Sequence, residues 1–409
     1  MMIVFSDATV FDGVSAEVGD PRHVVVEDGR IREVAASRPQ LSGATVVPCG
    51  RRFLMPGLID AHFHACSPSW DVRASDRMPP SLMAFHAGRI LADTLDRGFT
   101  TVRDAAGADF GLARALESGL IRGPRLRYAG RALSQTGGHG DMRAIDETPL
   151  CDCHGYAGLL ARTVDGVEDM RRAVREELRR GAHQIKLFIS GGVLSPADPI
   201  WMPQFSDEEI GVAVEEARTR RVYVMAHCHT DAGAARCAAL GVRSIEHGTL
   251  IERDETARSI AAAGAIVVPT LSVGDALSQP NGARKISPAM MEKRRSLGDA
   301  ALRAIEVCRR NGVKLGLGTD LFDYESHPRQ GGELELRARV DEPIDVLRSV
   351  TSVNAELLQM QGEVGVIAAG AHADLLVLDF DPFKDLSQFR HKARIPVVMQ
   401  AGQFVRNEL

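Results

Sequence analysis

Two histidines separated by one residue, His62 and His64, follow an apolar run in the segment LMPGLIDAHFHAC, residues 54–66. Alternate residues of a β-strand point to the same face, so both imidazoles would lie on one side of a strand. Imidazole is among the commonest metal ligands in proteins. The pair therefore indicates one part of a metal site, although an edge strand facing water would also explain it. Only further ligands elsewhere in the chain can distinguish the two interpretations.

The chain has 409 residues, of which 44% are hydrophobic and 25% are charged, a composition typical of globular proteins. Its formal net charge of −5 argues against nucleic acid or a membrane surface as a partner, because both require a basic face. No apolar run approaches the roughly 20 residues that cross a bilayer. The N-terminus carries no basic segment before a long apolar one, so we expect no secretory signal.

The cysteines are seven in number and scattered along the chain. An odd number with no regular spacing predicts reduced thiols and a cytoplasmic location. Cys151, Cys153 and His154 are close enough in sequence to hold a structural metal ion. They lack a second pair at zinc-finger spacing, so a loop with buried thiols is the preferred interpretation.

Eight apolar or β-branched runs alternate with helical segments in the middle of the chain. They are the run that ends at His64, TTVRDA (100–105), RLRYAGRAL (125–133), QIKLFIS (184–190), VYVMAHCH (222–229), SIEHG (244–248), AIVVPTL (265–271) and KLGLGTD (314–320). The intervening segments have helical periodicity, as in the apolar stripe of Val167, Met170, Val174 and Leu178. This alternation predicts an α/β fold, a closed (β/α)8 TIM barrel, over residues 56–365.

Both ends of the chain carry short β-like runs with turn signals, in contrast to the middle. The N-terminal runs are joined by Asp-Gly turns, and the tail contains ADLLVLDFDPF (373–383) and PVVMQAGQFV (396–405). We therefore predict a composite β-sandwich domain formed by residues 1–55 and 366–409.

Seven polar residues fall within the predicted strands or at their carboxyl ends, which meet at one mouth in a TIM barrel. They are His62, His64, Lys186, His227, His229, His247 and Asp320. Imidazole and carboxylate suit zinc, with manganese, cobalt or nickel as substitutes. Two ions ~3.5–4 Å apart can hold a bridging hydroxide and polarise a carbonyl group. A lysine ammonium has no lone pair for a metal, whereas its carbamate with CO2 would be a carboxylate-like bridge.

The set HFH, a lysine in the fourth strand, AHCH, IEHG and GTD, in that order, closely resembles the amidohydrolase superfamily. Four longer stretches are similar to its Xaa-Pro dipeptidase and carboxypeptidase branch, which includes ochratoxinase: RALSQTGGHGD (131–141), IKLFISGGVLSPADP (185–199), AHCHTDAGAARCAALGVRSIEHG (226–248) and GAHADLLVLDFDP (370–382). The resemblance covers nearly the whole chain, and it also implies a homo-oligomer.

The resemblance implies a role for each matching residue. The metal ligands would be His62, His64 and Asp320 on one ion, His227 and His247 on the other, and carboxylated Lys186 between them. Asp320 would also take the proton of the bridging hydroxide and pass it to the leaving nitrogen. His139, in the glycine-rich loop after the third strand, would hydrogen-bond the scissile carbonyl or the oxyanion. Asp60 and Asp104 are candidates to orient a ligand histidine.

His229 is the position that separates subgroups of this branch. Prolidase-like members often carry a tyrosine there, thought to contact the terminal carboxylate of the substrate, whereas ochratoxinase-like members carry histidine. We therefore expect a larger C-terminal residue, such as phenylalanine, rather than strict proline specificity. Arg131 and Arg143 are further candidates to bind the carboxylate. Surface positions would explain both arginines equally well. Trp201 would either wall the substrate pocket or simply pack against its surroundings.

The function predicted from these features is hydrolysis of the amide bond to a C-terminal amino acid. The substrate would be a small molecule, a dipeptide or an N-acyl or aryl amino acid, with ochratoxin A among the candidates. The alternative is an imidazolonepropionase-like cyclic amide hydrolase or a deaminase. Deaminases typically use one metal ion and lack the carboxylated lysine, so Lys186 counts against them. A non-catalytic relative would have lost ligands, and none of the six matching positions is lost.

Overall fold

The computed structural model describes residues 2–144, 147, 158–196, 198–279 and 285–409, so Cys151, Cys153 and His154 lie outside the described residues. The strands are β1 Met2–Val10, β2 Arg22–Glu27, β3 Arg30–Ala35, β4 Thr45–Pro48, β5 Phe53–Pro56, β6 Leu58–Phe63, β7 Phe99–Asp104, β8 Arg125–Tyr128, β9 Ala132–Ser134, β10 Ala161–Thr163, β11 Gln184–Phe188, β12 Tyr223–Thr230, β13 Ser244–Leu250, β14 Ile266–Val268, β15 Lys314–Leu315, β16 Leu375–Leu378, β17 Val397–Gln400 and β18 Gln403–Asn407.

The helices are α1 Val72–Asp76, α2 Pro80–Asp96, α3 Phe110–Glu117, α4 Val167–Arg179, α5 Asp207–Thr219, α6 Asp231–Leu240, α7 Asp254–Ala262, α8 Leu271–Ser278, α9 Pro288–Leu297, α10 Ala300–Arg310, α11 Gly332–Arg337, α12 Pro343–Arg348 and α13 Asn354–Leu357. In the part of the chain that is described, no helix has the length and apolar character needed to cross a membrane.

The parallel strands of the middle of the chain form two sheets, ordered β6-β7-β8 and β10-β9-β11-β12-β13-β14-β15. The predicted third strand is divided into two strands, β8 in the three-stranded sheet and β9 in the seven-stranded sheet. At the other seam, Ala61 N donates to Leu317 O at 3.0 Å and Asp320 N donates to His62 O at 2.8 Å. The strand order is consistent with a TIM-like barrel, and the predicted α/β class with a parallel sheet is confirmed.

The last predicted strand is shorter than KLGLGTD implied, because only Lys314 and Leu315 pair with β14. Beyond them the chain passes against β6, where a Cβ on Gly318 would lie 2.5 Å from the Cβ of His62. Only a residue without a side chain permits this close approach. The glycines of the GLGTD segment therefore allow the chain to pass close to β6, and this places Asp320 at the mouth of the barrel beside His62.

The two ends of the chain pair in one eight-stranded sheet, ordered β18-β17-β16-β5-β1-β2-β3 with β4 beside β1. The join is made by β5, which pairs parallel to β1 and antiparallel to β16. The two-layered sandwich and the domain boundaries 1–55, 56–365 and 366–409 stay predictions.

Strand β16 shows why its sequence is a continuous apolar run. Leu375 and Val377 pack in the core of the terminal sheet, together with residues of β1 and β2. Leu376 and Leu378 point the other way and pack with Leu58 and other residues of the barrel strands and following helices. A strand buried on both faces is apolar at every position rather than at alternate ones. The amino-terminal end of the barrel is thus closed by apolar contacts, which leaves the opposite end for chemistry.

Asn354 joins the first and last barrel strands. Its side chain is fully buried, and its amide donates to Ile59 O at 2.7 Å and Leu317 O at 2.8 Å. Its carbonyl accepts from Leu317 N at 3.1 Å. The three bonds stabilise the seam at which the metal-site candidates on either strand come together.

We expect Asn354→Ala to destabilise the fold, because it removes three buried hydrogen bonds to backbone groups of the seam. The loss should be about 2–4 kcal/mol in the free energy of unfolding, and thermal and denaturant unfolding would measure it. Asn407→Ala, at the end of β18, is the matched control and should change stability little. Equal stability of the two variants would contradict this account of the seam.

Candidate active site

The carboxyl ends of the barrel strands open into one cavity of about 380 Å³. The predicted metal ligands line it together with the two predicted substrate-contacting histidines: His62, His64, His139, Lys186, His227, His229, His247 and Asp320. Their positions follow the strands, since His62 lies in β6, Lys186 in β11 and His247 in β13. Seven of the eight are below 10% exposure, and Asp320 is partly buried.

The tightest group of metal-ligating atoms belongs to His62, His247 and Asp320, whose ligand atoms all lie within 4.8 Å of one another. His64 joins this group, because its Nε2 lies 3.0 Å from Asp320 Oδ1. The ring of His227 lies with its centroid 4.6 Å from that of His247. Nitrogen and oxygen donors at this spacing fit a divalent metal ion.

Burial sets the charge of these groups. It lowers the pKa of His62 to about 4 and takes the pKa of His247 well below its usual value, so both imidazoles are neutral at neutral pH. A neutral imidazole has the lone pair that a metal ion requires. Burial likewise lowers the pKa of Lys186 to about 8, against the raising effect of Glu246 and Asp320. A lowered pKa increases the unprotonated amine, the form that can react with CO2.

The orientation of His62 depends on a buried charge network that the sequence analysis did not identify. His62 Nδ1 lies 2.6 Å from Glu246 Oε2, so the ring donates Nδ1–H to the carboxylate and turns Nε2 towards Asp320. Arg103 donates from Nη2 to Glu246 at 2.9 and 3.0 Å and from Nε to Ala61 O at 2.5 Å. Glu246 and Arg103 are both completely buried.

Two of the site residues have left-handed backbone, His247 with φ 69° and Asp320 with φ 53°. Non-glycine residues adopt this conformation at a cost, and such strain concentrates at functional sites. In a regular strand His247 would point away from the face that carries Glu246. Here both side chains are on the barrel interior, and Nδ1 of His247 also bonds Thr270 Oγ1 at 2.8 Å.

In the described hydrogen bonds, the two carboxylates proposed to orient ligand histidines contact the chain beside those histidines rather than their rings. Asp60 accepts from the backbone N–H of His62 at 3.1 Å and from the Thr319 hydroxyl at 2.6 Å. Asp104 accepts from Ala65 N at 2.7 Å. Both therefore hold the chain on either side of the His62–His64 pair. The ring of His229 is positioned by Thr249, whose Oγ1 lies 2.9 Å from its Nδ1.

His139 lies in a cradle made by the loop after β11. Its Nδ1 is 2.8 Å from Ser195 Oγ and 3.2 Å from Asp198 Oδ2, and its ring stacks on His227 at 4.3 Å. A Cβ on Gly192 would lie 2.3 Å from the His139 ring, so this glycine is required for the ring to fit. His139 lies in the cavity, as predicted, but none of the residues that hold it was identified from the sequence.

Lys293 of α9 fastens this cradle. Its ammonium donates to three backbone carbonyls of the loop, Gly192 O at 3.0 Å, Ser195 O at 2.9 Å and Asp198 O at 2.6 Å. A lysine has three N–H donors, so these bonds use its full capacity. No motif marks Lys293, which lies 101 residues from Gly192, and only the fold brings the two together.

The arginines proposed for carboxylate binding are not among the described residues that line the cavity. Arg143 forms a two-point ion pair with Asp141, at 2.8 and 2.6 Å. Among the described residues, the arginines that line the cavity are Arg294 and Arg339, neither of which was a candidate from the sequence.

Trp201 is also absent from the described cavity lining and is 74% exposed, so neither proposed role for it is correct. The apolar walls come instead from Val72, Met142, Leu160, Phe188, Val193, Leu194, Leu271, Val273, Leu277, Leu297, Leu302, Phe322 and Leu336.

A sequence model of the amidohydrolase family matches residues 53–405, which is most of the chain. The chain belongs to the amidohydrolase family. It is therefore a hydrolase of amide bonds, and dependence on divalent metal ions is typical of this family. The resemblance seen in the sequence is confirmed.

Three relatives show where in the amidohydrolase family this chain lies. Ochratoxinase from Aspergillus niger is 32% identical over 371 residues, which cover 86% of this chain and 75% of that protein. A prolidase crystallised with N-methylphosphonate-L-proline is 42% identical, with a TM-score of 0.94 and 100% of both chains covered. The crystal structure of another amidohydrolase is 43% identical, with a TM-score of 0.96 and the same coverage.

We expect Glu246→Gln to weaken metal binding, since the amide would leave Arg103 without its counter-charge and loosen the orientation of His62. Loss of a group that orients a ligand typically costs about 10–100-fold in metal affinity. Competition between the apo-protein and a chelator for zinc would measure it, with the exposed Glu255→Gln as control. Unchanged zinc affinity in Glu246→Gln would show that His62 does not need this carboxylate.

Proposed function

We propose that this chain is a binuclear metal-dependent amidohydrolase that releases the C-terminal amino acid from dipeptides or from N-acyl and aryl amino acids, ochratoxin A among them. The observation that carries the proposal is the group of His62, His247 and Asp320 in the lining of a largely apolar cavity. The relatives support the same reaction class, because one is an ochratoxinase and another is a prolidase.

Two divalent ions, with zinc the first candidate, fit the donors present. The residues that would hold them are His62, His64, His227, His247, Asp320 and Lys186 as its carbamate. When bound, the ions would lower the pKa of water and polarise the scissile carbonyl. Lys186 lies in β11, between β9, which precedes the loop of His139, and β12, which carries His227. Its side chain lines the cavity, where a carbamate would face the other donors.

Asp320 would move the proton. Burial alone would raise its pKa, but the neighbouring His62 and His64 outweigh burial and hold the pKa below its usual range. The carboxylate is therefore ionised and able to accept a proton from the attacking water. Once protonated, it can deliver that proton to the leaving nitrogen, which must leave as an amine.

His139 would act on the carbonyl oxygen of the substrate. In a protonated imidazole, Nδ1–H donates to Asp198 and Nε2–H remains for the oxygen as negative charge develops there. Asp198 is suited to this role, since its pKa is lowered by His139 and Ser195 despite burial. The stacking of His139 on His227 keeps its ring beside a proposed metal ligand.

The side chain of the released amino acid would contact the apolar walls from α8, α9 and α10. Histidine at position 229 favours a large residue such as phenylalanine over strict proline specificity, and we keep that prediction. A cytoplasmic location, homo-oligomeric assembly and the terminal β-sandwich domain also stay predictions.

Protein supplied with zinc and bicarbonate should release amino acids from a panel of N-acyl amino acids, Xaa-Pro, Xaa-Phe, Xaa-Leu and Xaa-Arg dipeptides and ochratoxin A. Turnover of the phenylalanine amides is the expected result. Release from Xaa-Pro alone would retain the reaction and overturn the inference from His229. Lactams and aminopurines belong in the same panel, and turnover of these alone would overturn the substrate class.

Asp320→Asn should retain much of the metal and lose turnover by about 10²–10⁴-fold, because an amide cannot accept and return the proton. Steady-state kinetics and metal analysis on the same preparation would separate the two effects. Glu325→Gln, whose side chain is 76% exposed, is the control. Near-normal turnover in Asp320→Asn would remove Asp320 from the mechanism.

A further inference from the structure

The proposed substrates carry a free carboxylate, and the inference drawn from it rests on the proposed function. An anion loses its hydration when it enters a cavity lined mainly by apolar side chains, so it needs a cationic partner there. Both proposed metal ions would be engaged at the scissile amide. A positive group elsewhere in the cavity would therefore stabilise the carboxylate.

Few described lining residues carry a permanent positive charge. The charged side chains are Asp76, Lys186, Asp275, Arg294, Asp299, Asp320 and Arg339. Of the positive ones, Lys186 belongs to the proposed metal cluster. Among the described negative residues, Asp275 already forms an ion pair with Arg329, at 2.5 Å, and does not form one with a cavity arginine. This leaves Arg294 and Arg339 as the described cavity arginines whose charge is available.

Arg294 is partly buried on α9 and its hydrogen-bonding capacity is largely unused. Its Nη2 lies 3.3 Å from Gly274 O and 3.3 Å from Ser278 Oγ, both long contacts, and its Nε is buried without a partner. Within the described residues it forms no ion pair, although Asp299 and Asp275 are its nearest charges. A guanidinium in this state would gain from a two-point bond to a carboxylate.

Arg339 differs in its surroundings. It is exposed at the rim, where water competes for its charge and weakens any bond to an anion. His229, the other candidate, has Nδ1 engaged by Thr249, so only its Nε2 is left for a substrate and it cannot form the two-point bond of a guanidinium.

The position of Arg294 in the chain adds a connection to the chemistry. Lys293, the preceding residue, fastens the loop that holds His139. Helix α9 thus presents one cation to the His139 cradle and the next to the cavity, and Leu297 of the same helix lines the apolar wall. A substrate held at Arg294 would lie against the helix that also supports the cradle of His139.

We propose that Arg294 binds the α-carboxylate of the substrate and thereby selects substrates with a free C-terminus. The guanidinium anchors the released amino acid at one end, and its side chain packs against the α8–α9 wall. Recognition of this kind acts in the ground state and the transition state alike, so it is expressed chiefly in KM.

The test compares one substrate in two forms, the best N-acyl amino acid of the panel and its C-terminal carboxamide, on wild type, Arg294→Gln and Arg294→Lys. For Arg294→Gln we expect kcat/KM on the carboxylate form to fall about 10–100-fold, mostly through KM, with little change on the carboxamide. Arg294→Lys should recover only part of the loss, since an ammonium lacks the planar fork.

Arg295→Gln is the matched control, because Arg295 is the next residue of α9, with a side chain 71% exposed, and only a long 3.7 Å contact to Glu292. Metal content and unfolding temperature should be the same in all variants. If wild type does not cleave the carboxamide, inhibition by the free amino acid and by its amide supplies the same comparison.

An equal loss on both substrate forms, or a loss no larger than that of Arg295→Gln, would overturn the proposal. So would transfer of the effect to Arg339→Gln. An effect restricted to Xaa-Glu and absent from Xaa-Gln would show that Arg294 binds a side-chain carboxylate instead. A wild type that is inactive on every amide would remove the proposed function, and the carboxylate assignment with it.

Discussion

The buried ion pair between Arg103 and Glu246 is the interaction on which the site depends. Both side chains are fully buried inside the barrel, and Arg103 Nη2 lies 2.9 and 3.0 Å from the two carboxylate oxygens of Glu246. Either charge would be very costly there without the other. Their combination leaves Glu246 ionised, and burial, which would raise its pKa, is outweighed by Arg103 and His62. An ionised Glu246 fixes the proton of His62 on Nδ1, and Nε2 is then directed at Asp320. Through Glu246, Arg103 therefore determines that Nε2 is the nitrogen of His62 that faces the cavity.

The same requirement for paired charges also fixes the position of the Asp320 carboxylate. Asp320 is within 3.0 Å of His64 Nε2 and 3.4 Å of His62 Nε2. These contacts hold the carboxylate in the position where its oxygens face the imidazoles. The cost appears in the backbone, since Asp320 and His247 both have positive φ. The strain is tolerated because Asn354 and Asp60 fix the strands on either side of the seam.

Local sequence carried much of the fold and most of the site. The eight apolar runs, the helical stripe of α4 and the strand-end histidines each depend on a few neighbouring residues, so periodicity and the TIM-barrel rule placed them at one mouth. Glu246 could not be identified in this way, because regular alternation puts it on the face opposite to His247, and the positive φ of His247 is needed for both to face inward. Nor could Arg103 and Lys293, since they contact residues that are distant in sequence. Arg131 and Arg143 were chosen for nearness in sequence to His139, and Arg143 instead pairs with its neighbour Asp141.

The two ends of the barrel differ in what they supply: the amino-terminal end supplies stability, and the carboxyl-terminal end holds the polar cluster. At the amino-terminal end, Leu58 and Phe99 are buried in an apolar core with Leu376 of the terminal sheet. Apolar burial of this kind needs no exact charge balance and supplies most of the favourable free energy of folding. The carboxyl-terminal end can therefore keep a cluster of buried histidines and acids that would not hold a fold together by itself. Its residues suit the proposed chemistry rather than stability, and the apolar end supplies the stability that buried polar groups cost.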